Sequence, residues 1–155
     1  MLRFRFDSGR APLRIVVDAS LALSWFFEDE RDEPGVAALR YVNENGALVP
    51  AIWSAEVGNG LLMGERRGRI DRDQIALIIE KLGALSIVVE MSRSQPAFPE
   101  IAAARTYGLT TYDASYLNLA SLHGVPLATR DDRLARAAQA LNALWQAPVG
   151  PNPET

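Results

Sequence analysis

Asp18, Glu56, Asp113 and Asp131 are the residues of this 155-residue chain whose type and placement could do chemistry. Asp18 ends the apolar run Ile15-Val16-Val17, Asp113 follows Thr111-Tyr112, and Asp131 follows Pro126-Leu127-Ala128-Thr129-Arg130. Each of the three precedes a helix-compatible pattern, whereas Glu56 interrupts an otherwise apolar segment between Trp53 and Val57. A lone aspartate in such a place more often caps a helix than binds a ligand. Several in comparable settings could converge, and two carboxylates about 5 Å apart repel by roughly 3 kcal/mol at an effective dielectric of about 20. Acids gathered at one rim must take up protons or bind a cation. The chain has no cysteine and one histidine, which excludes disulfides, thiolate zinc sites and cysteine nucleophiles. An oxygen-liganded hard ion, Mg2+ or Mn2+, suits this donor set better than zinc.

The elements that must position these acids alternate. Ile15 to Val17 reads as a strand, and Ala-Ser-Leu-Ala-Leu-Ser-Trp-Phe-Phe after Asp18 as a helix. Pro34 opens a second helix through Val36 to Val42 that Asn45-Gly46 closes, and Ala47-Leu48-Val49 is a second strand. Ala51 to Arg67 has helical apolar spacing and a Gly68 stop, although Gly58, Gly60 and Gly64 weaken it. Asp71 caps a helix from Arg72 to Leu85, with Ile75, Ile78, Ile79 and Leu82 on one face, before the strand Ile87 to Val89. Pro99 to Tyr107, the stretch from Asp113 to Leu122, and Arg133 to Leu141 are further helices, with Val125 to Thr129 a strand before the last. Such alternation predicts an α/β sandwich with a mostly parallel sheet, whose ligands gather outside the carboxyl ends of the strands. Asp18 and Asp131 fall at such ends, and Asp113 at a helix N-terminus that favours negative charge.

Four segments then become recognisable together: Val-Val-Asp-Ala-Ser-Leu-Ala-Leu-Ser-Trp-Phe (16–26), Trp-Ser-Ala-Glu-Val-Gly-Asn (53–59), Thr-Tyr-Asp-Ala-Ser-Tyr-Leu-Asn-Leu-Ala (111–120) and Pro-Leu-Ala-Thr-Arg-Asp-Asp-Arg-Leu (126–134). In order and spacing they resemble the PIN-domain family, specifically its VapC-type toxins. The resemblance implies a three-layer α/β/α fold with about five strands, metal-dependent endoribonuclease activity, a VapB-like antitoxin covering the acidic groove, and a homodimer. Carried over by motif, it places the acidic quartet on Asp18, Glu56, Asp113 and Asp131 as catalytic and metal-binding residues, with Ser20 and Thr129 in support. Asp131 fits the family's Thr-x-Asp pattern better than its neighbour Asp132, which reads as a capping or surface acid. The resemblance covers roughly residues 15–147, leaving 1–14 as an N-terminal extension and 148–155 as a Pro-rich tail.

Composition sets the remaining bounds. At 48% apolar residues the chain can bury one core, and it carries neither a signal-peptide pattern nor an apolar run long enough for a membrane helix, so a cytoplasmic protein is expected. A net charge of −3 gives no global footprint for nucleic acid. Two local basic groups exist, Arg66-Arg67-Arg69 and Arg130-Arg133-Arg136, which serve either as solvated helix faces or as phosphate contacts. Arg66, Arg67, Arg130 and Arg133 are the RNA-contact candidates. His123, in a His-Gly-Val-Pro turn, is expected to be structural or exposed. Leu21, Leu23, Trp25, Phe26 and Phe27 exceed one buried stripe and either join the core or face a partner. An aspartyl-phosphate phosphatase is disfavoured because Ser20 stands where that chemistry wants a second aspartate, and Lys81 is the only lysine. The remaining alternative is a non-catalytic PIN-like module whose acidic groove binds a basic partner segment.

Overall fold

The computed structural model of the protein describes residues 14–91 and 98–148. Apart from Arg14 and Pro148, the expected extension and tail lie outside the described residues. Strand β1 (Ile15–Val17) is buried along its whole length, as a strand covered on both faces must be, and it therefore reads as an unbroken apolar run. It lies between β2 (Ala47–Pro50) and β4 (Leu127–Ala128), with β3 (Ile87–Glu90) outside β2. Every pairing is parallel. The helices that flank this sheet are α1 (Ala19–Ser24), α2 (Glu33–Asn45), α3 (Ile52–Arg66), α4 (Arg72–Ala84), α5 (Glu100–Tyr107), α6 (Thr111–His123) and α7 (Asp132–Ala140). The described residues thus form the expected α/β/α arrangement with four strands. Beyond β4 the chain adds a single parallel bridge, Leu127 to Leu144, held by the Leu127 amide on the Ala143 carbonyl and the Trp145 amide on the Leu127 carbonyl.

The topology explains where a site can form. The chain passes from β1 to β2 and β3 on one side, then returns to place β4 on the other side of β1. Such a reversal opens a crevice at the carboxyl ends of β1 and β4. Register then fixes its first residues: Val17 pairs with Ala128, so Asp18 emerges beside Thr129, and the Asp18 amide donates to the Ala128 carbonyl at 3.2 Å.

Local chemistry sets the helix ends. Asp32 caps α2 by accepting from the Gly35 amide at 2.9 Å, with Pro34 in the first turn, and Gly46 closes the helix at φ 80°. Asp71 and Gln74 form a reciprocal capping box on α4, both bonds being 2.8 Å. Helix α3 tolerates its glycines because two of them admit side chains of neighbouring segments. A Cβ on Gly60 would stand 2.3 Å from Leu23 Cδ1, and one on Gly64 would stand 2.7 Å from the Phe27 ring. Phe27 is in turn covered by the Arg69 guanidinium, 4.0 Å from its ring centre.

The core joins both sides of the sheet. Tyr116, Leu117 and Ala120 of α6, Val42 of α2 and Leu134 of α7 pack with Ile15 to Val17, Val49 and Leu127. Leu21, Trp25 and Phe27 are buried in it and Leu23 and Phe26 lie half-buried against it, so the aromatic run after β1 is core material. Helix α4 departs from its expected face. Ile78 is buried, and Ile75 and Leu82 pack on the core, but Ile79 is 60% exposed. The stripe in use is the narrower i, i+3, i+7 set, and Ile79 falls on its flank.

Candidate active site

Asp18 is only 4% exposed and is held by donors from the start of α1 and from the loop after β4. Its Oδ1 accepts from the Leu21 amide at 2.9 Å, which makes it the N-cap of α1. Its Oδ2 accepts from Ser20 Oγ at 2.8 Å and from Thr129 Oγ1 at 2.5 Å. Both hydroxyls are oriented from behind: the Arg130 amide donates to Ser20 Oγ at 3.2 Å and the Asp131 amide to Thr129 Oγ1 at 2.9 Å. A hydroxyl that accepts from an amide still has its own proton to give, and here the carboxylate receives it. Burial nevertheless dominates and pushes the Asp18 carboxyl up to about 6, against the three hydrogen bonds and with the Asp131 charge adding to the rise.

Asp131 caps α7, its Oδ1 accepting from the Leu134 amide at 2.8 Å. Its charge acts on Asp18, whereas Asp132 is exposed in the first turn of α7. Of the two neighbours it is Asp131 that belongs to the Asp18 pocket. Glu56, half-buried on α3, accepts a hydrogen bond through Oε2 from the Tyr116 hydroxyl of α6. Burial, then the Glu56 bond and charge, then the Asp18 charge push the Tyr116 hydroxyl well above its ordinary range, so that it stays protonated and donates. Tyr116 therefore links the surroundings of Glu56 and Asp18. The sequence patterns gave it only an apolar place in α6, yet it stands three residues after Asp113, a spacing that puts both on one helix face.

Asp113 itself is bound locally. Thr110 Oγ1 donates to Asp113 Oδ2 at 2.7 Å and accepts from the Asp113 amide at 3.1 Å. Among the described residues it makes no hydrogen bond to the other three acids, and no group of three or more acidic or histidine side chains is close enough together to hold a metal ion. The quartet is thus drawn together in part: Asp18 with Asp131 by charge, and Asp18 with Glu56 through Tyr116.

The arginines divide. Arg130 donates to Asp32 Oδ2 at 2.6 Å and to the Glu30 carbonyl at 2.9 Å, fastening the loop after β4 to the start of α2. Arg66 and Arg67 are exposed at the far end of α3, and Arg66 lies ten residues beyond Glu56, about 15 Å along the axis. Arg133 borders a surface cavity of about 440 Å³. His123 Nε2 lies 3.6 Å from Glu90 Oε2, tying the end of α6 to the end of β3.

A parallel α/β/α fold with a buried aspartate at its switch point defines a class, and the comparisons with known proteins agree with it. The family model described as "PIN domain" matches residues 15–140, and the chain belongs to the PIN-domain family. It is similar to "Ribonuclease VapC3" of Pyrobaculum aerophilum, with 32% identity over 130 residues that cover 83% of this chain and 98% of that protein. The crystal structure of PAE2754 from the same organism superposes with a TM-score of 0.61 at 24% identity, covering 88% of each chain, and shares the fold.

Proposed function

We propose that this protein is a metal-dependent endoribonuclease, the toxin of a VapBC-type pair, and that Asp18, Glu56, Asp113 and Asp131 form its catalytic and metal-binding set. What carries the reading is Asp18, a nearly buried carboxylate at the switch point of a fold whose sequence is similar over 83% of its length to a ribonuclease. The donor chemistry fits a hard cation. All available ligands are oxygens, and a buried acid whose proton affinity is raised by burial and by Asp131 is relieved by a cation placed against it. Mg2+ commonly uses one or two carboxylates, keeps several waters and takes substrate phosphate oxygens as further ligands, so a compact three-acid cluster is not required. Asp18 and Asp131 would hold the ion, with Glu56 and Asp113 acting at the same rim. When bound, such an ion acidifies water and neutralises charge developing on the phosphate.

The chain's own residues prepare that chemistry. Ser20 and Thr129 each donate to one oxygen of Asp18 and the Leu21 amide to the other, which fixes the carboxylate plane. Tyr116 holds one Glu56 oxygen and leaves the other to orient water or substrate. Burial of Asp18, whose neighbours Val17, Ala19 and Leu21 are buried as well, limits water around the carboxylate and strengthens its field. An RNA substrate, an antitoxin over the acidic rim, a homodimer and a cytoplasmic setting complete the reading and rest on the family. Among the described residues no helix is long and apolar enough to cross a membrane.

The test is incubation of total RNA with purified, antitoxin-free protein in Mg2+, in Mn2+ and in excess chelator. Discrete products with either ion and none with chelator are expected. Equal cleavage in chelator would remove the metal from the reading, and no cleavage under any condition would favour the alternative of a groove that binds a basic partner segment.

A further inference from the structure

Thr106 and Tyr107 at the end of α5, Gly108 just beyond it, and Arg133, Arg136 and Ala137 of α7 line the open surface cavity of about 440 Å³. Its size is within the range of ligand pockets. Two arginines of its lining are unpaired, as most described arginines are, but these two share one cavity. Arg69 is engaged by Asp29 and Glu30, and Arg130 by Asp32. Arg133 and Arg136 make no hydrogen bond or ion pair with any described residue, although the chain carries an excess of acids. Both stand in the first two turns of α7, the end of a helix that disfavours cations, so the pair raises a local positive potential that an anion would relieve. The floor is the buried Ala137, and nothing stands within 4 Å of where a Gly108 Cβ would be, so the space is open to a ligand.

Two chain connections tie this cavity to the acidic pocket. Arg133 follows Asp131 by two residues and Arg136 by five, a rise of about 3 and about 8 Å, with both side chains leaving α7 on the side away from Asp131. On the other wall, Gly108 is two residues before Thr110, whose hydroxyl holds Asp113. We propose that this cavity is a phosphate subsite, in which Arg133 and Arg136 hold the RNA backbone at a phosphate flanking the bond that is cut. The inference rests on the ribonuclease reading for the identity of its ligand. It also separates the basic residues by role: Arg133 and Arg136 are available to the substrate, whereas Arg130 is a loop fastener.

The test is fluorescence anisotropy with a labelled single-stranded RNA across a salt series, using full-length Asp18→Asn as the cleavage-silent parent. Arg133→Ala, Arg136→Ala, their double variant and the exposed Arg40→Ala of α2 as control are made in that parent, with melting curves to confirm folding. Removing each arginine is expected to weaken binding irrespective of RNA sequence and to flatten the slope of log affinity against log salt by about 0.7, or about 1.4 for the pair. Arg40→Ala should leave the slope unchanged. An unchanged slope in the double variant, alongside metal-dependent cleavage by the wild type, would overturn the subsite and leave the ribonuclease standing. Arginine-dependent RNA binding by a wild type that never cuts would keep the subsite and sink the nuclease.

Discussion

Asp18 is held in a position that costs the fold stability. With its folded carboxyl at about 6 and an ordinary value of 3.8, the folded state keeps a proton that the unfolded chain has already released between those two values. Stability contributed by this residue therefore falls as pH rises from about 4 to about 6. Above that window the penalty is constant and of order 3 kcal/mol. Asp18→Asn is expected to raise the melting temperature of metal-free protein at pH 7.5, with the gain shrinking near pH 4. Thermal denaturation at the two values checks this, and a variant less stable than wild type at pH 7.5 would show that burial is not the dominant effect. Added Mn2+ should stabilise wild type and leave the variant nearly unmoved. Tyr116 is the second residue on which the site depends. Tyr116→Phe leaves one Glu56 oxygen unpaired, and loss of such a supporting contact typically weakens metal affinity or activity about 10- to 100-fold. Cleavage measured against Mn2+ concentration should shift to higher metal, while the circular dichroism spectrum stays that of wild type. An unshifted metal dependence would reduce Tyr116 to packing.

The elements show where patterns were informative and where partners decided. Asp71, Pro34 and Gly46 marked helix ends that depend on residues a few positions apart, and such ends are legible in a sequence. Helix α3 looked weak because of three glycines, two of which are explained only by side chains from the segment after β1, thirty-seven residues earlier in each case. Gly58 has nothing within 4 Å of a Cβ, so Gly58→Ala should stabilise by about 0.5–1 kcal/mol. Gly64→Ala should destabilise by about 1–3 kcal/mol, because its methyl meets the Phe27 ring. Chemical denaturation of the two variants distinguishes these signs, and stabilisation by both would mean that Phe27 and α3 do not approach so closely. Ile79 was expected on the buried face of α4 and is exposed, since periodicity marks a stripe without stating how wide the neighbouring surface is.

At the scale of the whole molecule, a reversal of strand order about β1 and one register pair bring the Asp18 surroundings together. Asp18 and Asp131 could be singled out as strand-end acids, but the hydroxyl bridge from Ser20 and Thr129 depends on Val17 pairing with Ala128, more than a hundred residues apart. The Tyr116 to Glu56 bond likewise joins two helices whose packing no local pattern specifies. Asp113 was grouped with the others by motif and stands bonded to Thr110 instead, so the part proposed for it rests on substrate and ion rather than on contacts within the protein. The measurement that bears most directly on the central claim is binding and cleavage of one labelled RNA, followed side by side in Mn2+ for wild type and Asp18→Asn. The account predicts that both proteins bind the RNA and that only wild type cuts it. Cleavage by Asp18→Asn at the wild-type rate, or binding without cleavage by both, would contradict it.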